Sequence, residues 1–226
     1  MATHCSNCLN RSSCFNELTL NELDRVSKNK TEITYKKGET IIKQDSFASH
    51  IYFIKSGLAK VYIEKNHHKN LILEIVGNGA ILGVTSLNHK KIHNFSVVAL
   101  EDIRVCEINI EIITSIMKNN LSFSSNIMEQ LNITIDQLLQ KVSSFAFKNT
   151  QERIAELLVM FVDNIYKKQS FTINLSRKEL AEFVNIATEN VVRVLKNFEA
   201  EQLIKLDGKQ IEILNYERLK ALSNRF

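Results

Sequence analysis

The residues in this 226-residue chain best suited to chemistry are its four cysteines. Cys5, Cys8 and Cys14 share one short segment, spaced C-x2-C-x5-C, among small polar residues that give the segment no core of its own. Cys106 lies far along the chain, in Arg104-Val105-Cys106-Glu107-Ile108. The N-terminus, Met1-Ala2-Thr3-His4-Cys5, lacks the charged-then-apolar layout of a signal peptide. No apolar run approaches the roughly 18 residues a membrane helix needs. The expectation is a cytoplasmic chain with reduced thiols and no membrane partner, in which cysteines read as metal ligands or redox groups before disulfides. Four thiolates, three near and one distant, suit an iron–sulfur cluster. The alternatives are a zinc site, free redox thiols or, for Cys106, an inert place in a core. His4 could replace a ligand. His67, His68, His89 and His93 are expected in solvated loops, with haem ligation as a lesser reading.

A second set of residues could read nucleic acid. Ser176 and Glu179 form a capping box, with Leu175 and Leu180 as its hydrophobic staple, and open a helix that ends near Val184. After the turn Asn185-Ile186-Ala187 a new helix carries Val191, Val194, Leu195 and Phe198 on one face. Two strand-like runs, 203–206 and 210–214, meet at Asp207-Gly208, a strong hairpin signal. Helix, short turn, helix and hairpin make a winged helix-turn-helix, whose second helix enters the major groove of double-stranded DNA. Thr188, Glu189, Val192 and Arg193 would then face base edges. Arg193 can donate twice to guanine, Glu189 can accept from cytosine, and Val192 can touch a thymine methyl. Arg177, Lys196, Lys205 and Lys209 could reach phosphates. The plainer alternative is that Glu189 and Arg193, four residues apart, only support each other on a solvated face. Bulk charge does not decide between them, since residues 151–226 hold twelve basic and eleven acidic side chains.

The remaining elements must position these two sets. Thr19 and Glu22 make another capping box, with Leu18 and Leu23 as staple, for a helix running to about Lys28. From 33 to 108, short apolar runs alternate with five of the six glycines, the texture of an antiparallel barrel or sandwich. Residues 110–147 lack glycine and have helical periodicity, with Ile127, Leu131, Leu138, Val142 and Phe145 in one stripe. That stripe is either packed on its own domain or the seam of a homodimer. Glycine-rich phosphate loops, Ser/His/Asp sets and HExxH patterns are absent, so no enzyme is expected.

Together these pieces resemble the Crp/Fnr regulators along essentially the whole chain. The resemblance is most specific in Leu175-Ser176-Arg177-Lys178-Glu179-Leu180-Ala181 and Glu189-Asn190-Val191-Val192-Arg193-Val194-Leu195. It implies an α+β chain with an N-terminal double-stranded β-roll (a jelly roll like the cyclic-nucleotide-binding domain), a long dimerisation helix and a C-terminal winged helix-turn-helix. The expected boundaries are 1–18 for the cysteine segment, 19–112 for the β-roll, 113–148 for the helix and 149–226 for the DNA-binding domain. The resemblance implies that Glu189 and Arg193 read a palindromic operator as part of a dimer, with RNA polymerase a further partner if the regulator activates. Fnr-type members usually carry serine where this chain has Val192, which bears on operator sequence rather than on DNA binding. Cyclic-AMP receptors of the family use a glutamate and an arginine where this chain has Gly83-Val84-Thr85 and His93-Asn94-Phe95, so cyclic AMP is not the expected ligand. The cysteine pattern is similar to that of the oxygen-sensing Fnr regulators, which implies a [4Fe–4S] cluster on Cys5, Cys8, Cys14 and Cys106. On that reading, loss of the cluster in oxygen shifts dimers toward monomers. Without a cluster, the same fold would sense through thiols, zinc, haem or another small molecule in the β-roll.

Overall fold

The structure, a computed structural model, describes residues 4–8, 10–65, 69–87 and 90–224. His67, His68 and His89 lie outside them. The chain forms two compact units, Met1–Glu64 with Leu73–Asp136, and Lys65–Ile72 with Gln137–Phe226.

The first unit begins with two 3₁₀ turns, Cys5–Asn7 and Ser13–Glu17, and helix α1 (Leu20–Lys28). Its capping box forms as expected: Thr19 Oγ1 accepts from the Glu22 amide, and Glu22 accepts from the Thr19 amide at 2.9 Å. Strands β1 (Lys30–Tyr35), β2 (Thr40–Ile42), β3 (His50–Ser56), β4 (Ala59–Lys65), β5 (Lys69–Val76), β6 (Ile81–Leu82), β7 (Ser96–Ala99) and β8 (Ile103–Asn109) follow. They build two four-stranded sheets, ordered β1-β8-β3-β6 and β2-β7-β4-β5, the β-roll. Side chains alternate across a strand. Ile54, Ile103 and Val105 therefore enter the core between the sheets. Ile51, Phe53, Cys106 and Ile108 point to the opposite face of the first sheet, where a separate core covers them. That outer core also contains Cys5, Cys14, Phe15, Leu23 and Val26. The cysteine segment has no core of its own because it is the lid of this one.

The helix expected from 113 to 148 is two helices, α2 (Ile110–Asn119) and α3 (Leu121–Phe147), parted at Asn120. Asn120 has an extended backbone, and its Oδ1 accepts from the Phe123 amide at 2.9 Å as an N-cap. Its Nδ2 donates to the Glu17 carbonyl at 2.9 Å and to Glu22 at 3.0 Å. One side chain thus ties the start of α3 to the end of the cysteine segment.

Ile127 does not join an exposed seam. It is 1% exposed and packed in the outer core with Phe123, Cys5 and Cys106. The exposed apolar line of α3 is instead Met128, Ile135 and Val142, with Leu138 also exposed and Leu131 and Phe145 half-buried beside it. Successive spacings of three and four make this an a/d heptad stripe, the pattern of a coiled-coil seam. Sequence periodicity had placed Leu131, Leu138, Val142 and Phe145 on it and had missed Met128 and Ile135.

In the second unit, α4 (Thr150–Met160) opens on an Asn149/Glu152 capping box and ends in a π-helical turn, Phe161–Tyr166. The helix-turn-helix is α5 (Arg177–Val184) and α6 (Thr188–Ala200), with Asn185 in the left-handed conformation that ends α5. The Ser176/Glu179 box caps α5. The wing strands β10 (Ile204–Asp207) and β11 (Gln210–Ile213) turn at Gly208. They are joined by an unforeseen third strand, β9 (Ser170–Thr172), in the order β10-β11-β9. A final helix, α7 (Tyr216–Ser223), also went unread in the sequence; Tyr216 bonds Asp163 of the π turn at 2.9 Å. No helix among the described residues is long and apolar enough to cross a membrane.

Candidate metal centre and nucleic-acid interface

Cys106 lies on the central strand β8, in register with Glu32 on one side and Phe53 on the other. The N-terminal segment lies over it. Phe15 packs its ring 4.4 Å from Phe53 and 6.1 Å from Phe123, Asn10 donates to the Lys55 carbonyl at 2.8 Å, and the Cys5 amide donates to Ser27 at 3.2 Å. A small pocket results, lined by Cys5, Cys8 and Cys106 with Phe15, Lys30 and Lys55. Cys14 is fully buried in the same core, its thiol bonded to Ser12 Oγ at 3.5 Å. Sequence distance notwithstanding, Cys106 shares a core with Cys5 and Cys14 and a pocket with Cys5 and Cys8. The four thiols are not closed around a point: among the described residues, no three of His, Cys, Asp or Glu stand close enough to grip an ion.

Burial raises the Cys14 and Cys106 thiols to about 11. Such thiols are poor redox nucleophiles, because reactivity needs thiolate. As a ligand such a thiol needs a compensating positive charge, and at Cys106 the sheet supplies it. Lys30 is near enough to Cys5 and Cys106 for its charge to act on both. Glu32 joins Lys30 at 2.9 Å to Lys55 at 2.8 Å. Two cations and one carboxylate leave one net positive charge beside the thiols. In donor chemistry, though not in a closed geometry, four thiols with a cationic flank at Cys5 and Cys106 and an aromatic cover are of the type an iron–sulfur cluster or zinc takes.

Glu32 also carries stability. Burial alone would raise its carboxyl, but donation from Lys55 and Lys30 outweighs this and brings it to about 2. A carboxylate lowered on folding stabilises above its unfolded value near 4.5, and that contribution is lost as pH falls toward 2. The Lys30 side chain is only 2% exposed, so Glu32→Gln removes the carboxylate charge that Glu32 sets against a buried ammonium. The expected cost is about 2 kcal/mol at pH 7, since Glu32 keeps some solvent contact. Urea unfolding should show this gap at pH 7 and its shrinkage at pH 3; equal gaps at both would contradict the assignment.

His93 departs from expectation. It is 1% exposed rather than solvated, its Nδ1 shares a 3.0 Å hydrogen bond with Ser86, and its Nε2 is buried without a partner. Burial lowers its basicity. It lies beside Gly83, whose left-handed backbone opens the turn Val84–Ser86.

On α6, the structure brings Thr188, Glu189, Val192, Arg193 and Lys196 together around one shallow hollow. Their opposite face, Val191, Val194, Leu195 and Phe198, is buried. Arg193 donates to Asn190 at 2.9 Å, and no ion pair joins it to Glu189 among the described residues. Arg177 donates to the Gly208 carbonyl at 3.1 Å, which ties α5 to the wing beside exposed Lys209.

Residues 32–120 match the cyclic nucleotide-binding domain family, and residues 152–222 match the Crp-like helix-turn-helix domain family. The chain is 25% identical over 230 residues to the fumarate and nitrate reduction regulatory protein of Vibrio cholerae, covering 98% of this chain and 91% of that one. It is 27% identical to the transcriptional activator protein Anr of Pseudomonas protegens, over 97% of this chain and 92% of that one. Among solved structures, FixK2 from Bradyrhizobium japonicum superposes with a TM-score of 0.80 at 19% identity, covering 87% of this chain and 98% of that one. A CooA mutant from Carboxydothermus hydrogenoformans does so at 0.73 and 20%, over 99% and 97%. A β-roll of the cyclic nucleotide-binding type, a helix with an exposed heptad stripe and a winged helix-turn-helix, matched along nearly the whole chain, place this protein in the Crp/Fnr family of DNA-binding transcription regulators.

Proposed function

We propose that this regulator senses oxygen or redox state through a [4Fe–4S] cluster on Cys5, Cys8, Cys14 and Cys106, and that it binds a palindromic operator as a homodimer. The observation that supports the reading is that Cys5, Cys14 and Cys106 share the core that also holds Phe123 and Ile127 of α3, with Cys8 at the pocket lined by Cys5 and Cys106. When bound, the cluster supplies an oxygen-labile bridge among four thiolates. The chain's own residues do the rest. With Cys5, Cys8 and Cys14 tied to Cys106, Glu17 and Glu22 stay where Asn120 bonds them, and the first turn of α3 keeps its cap. A released segment withdraws those partners and Phe15 from the base of α3. Leu131, Leu138, Val142 and Phe145, with Met128 and Ile135, then lose the supported helix they need to pair across a two-fold axis.

The dimer presents two copies of α6 about one DNA turn apart. Thr188, Glu189, Val192 and Arg193 face bases, and Arg177, Lys196 and Lys209 face phosphates. Arg193→Ala should weaken operator binding by about 1–3 kcal/mol, roughly ten- to a hundredfold, and relax preference at one position of each half-site. A gel shift with single-base operator variants checks this, and a uniform loss across bases would assign Arg193 to phosphate instead. Cyclic AMP is a poor fit for the β-roll. Where the family's cyclic-AMP receptors place an arginine, this chain buries His93 against Ser86, and an anionic phosphate would enter without that guanidinium partner.

Zinc is the second reading, favoured by the same four thiols. Protein purified without oxygen separates the two: the cluster reading expects a broad visible absorption that bleaches in air and about four irons per chain. Colourless protein with stoichiometric zinc would replace it.

A further inference from the structure

The second unit contains both the lower heptad stripe of α3, Leu138, Val142 and Phe145, and the helix-turn-helix. Arg153 on α4 stands between them. Its Nη2 donates to the Phe145 carbonyl at 2.7 Å and its Nε to the Lys148 carbonyl at 3.0 Å, both at the C-terminal end of α3. Its Nη1 donates to the carbonyls of Val184 and Asn185 at 3.3 and 3.4 Å, where α5 ends and the turn into α6 begins. The guanidinium carbon lies 5.5 Å from the centre of the Phe145 ring.

Helix ends leave carbonyls unsatisfied and carry partial negative charge, so a cation that caps two of them holds both ends in one geometry. Only guanidinium has donors in a rigid planar fork able to do this at four acceptors; ammonium has three donors on a flexible stem. Other contacts join the same elements. Lys141 of α3 stands 3.5 Å from the centre of the Phe183 ring on α5, and Glu156 of α4 accepts from Ser144 at 2.5 Å and from Lys148 at 2.7 Å.

We propose that Arg153 is a positioning residue that fixes the angle between the dimer seam and the recognition helix, and so sets the half-site spacing the dimer accepts. Arg153 touches no base and no phosphate in this role. It acts through α3 and α5, and it determines which operators both copies of α6 can reach together.

The test uses the full chain, kept free of oxygen, and a duplex selected by the wild-type protein from a random library. Arg153→Lys retains the charge without the fork. The variant should bind the selected palindrome at least tenfold more weakly, while its affinity for a duplex with one half-site stays within about twofold. Wild type should lose most affinity when one base pair is added to or removed from the spacer, and the variant should discriminate much less. Glu156→Gln, which loosens the same joint at another point, should shift the spacing profile in the same direction. An unchanged spacing profile in both variants overturns the proposal. Parallel loss on the palindrome and the single half-site, with a lowered unfolding midpoint, also overturns it and assigns Arg153 to folding alone. Neither comparison depends on the nature of the metal at the cysteines, whose failure would appear in the metal content instead.

Discussion

Protein carrying Cys106→Ser and purified without oxygen is expected to contain almost no iron and to lose operator affinity by roughly a hundredfold or more. Cys106 is the sole thiol on the β-roll strand; the other three belong to the segment that covers it. Removing it leaves a ligand set within one segment, with only the Asn10–Lys55 hydrogen bond and the packing of Phe15 on Phe53 to hold that segment to the sheet. Asn120 would then keep its bonds to Glu17 and Glu22 only through packing of Phe15 and α1. The affinity loss follows from dimer linkage, since a second tethered contact multiplies affinity by about 10² to 10⁴. Serine is close in size to cysteine, but its hydroxyl is buried in an apolar core, which costs about 1–3 kcal/mol. Cys106→Ala removes that complication and should give the same result, with near-native circular dichroism. If either variant binds operator normally in the absence of oxygen, the thiol centre does not govern DNA binding.

What could be read from the sequence was local. The Thr19/Glu22 and Ser176/Glu179 boxes lie three residues apart, and both form. The outward face at 188, 189, 192, 193 and 196 is one side of a short helix with an apolar back, so spacing alone defines it. Ile127 shows where such reasoning stops. The first half of α3 has two apolar faces, and periodicity does not say which one the chain itself covers; Phe123 and Ile127 are covered, and Met128 and Ile135 are not. The break at Asn120 escaped notice because the run resumes its period beyond it, although asparagine before a helix start is a cap signal. The burial of His93 depends on a packing partner, Ser86, that no period encodes. Three near cysteines and a distant fourth suggest a common ligand set, but the approach of Cys106 to that segment is a property of the sheet register that spacing does not encode.

Val142→Glu is expected to give a folded monomer whose affinity for the palindromic operator falls by roughly 10² to 10⁴. Val142 is 63% exposed in the single chain, so the substitution opens no cavity and buries no charge there. In a two-fold seam an a position faces its own copy. Two carboxylates would be brought together and dehydrated, at a cost of several kcal/mol each, more than most seams of this length can offset. Sedimentation equilibrium should show the monomer at concentrations where wild type is dimeric, and a duplex with one half-site should bind both proteins alike. Two companions fix the interpretation. Ile133→Glu changes a residue that is also exposed, 44%, but lies at an f position on the far side of the helix. It should leave dimer and operator binding intact. Ile127→Glu places a charge in the outer core at a site 1% exposed, and should lower the unfolding midpoint of the chain itself. A dimeric Val142→Glu protein beside a monomeric Ile133→Glu protein would move the seam to another face of α3.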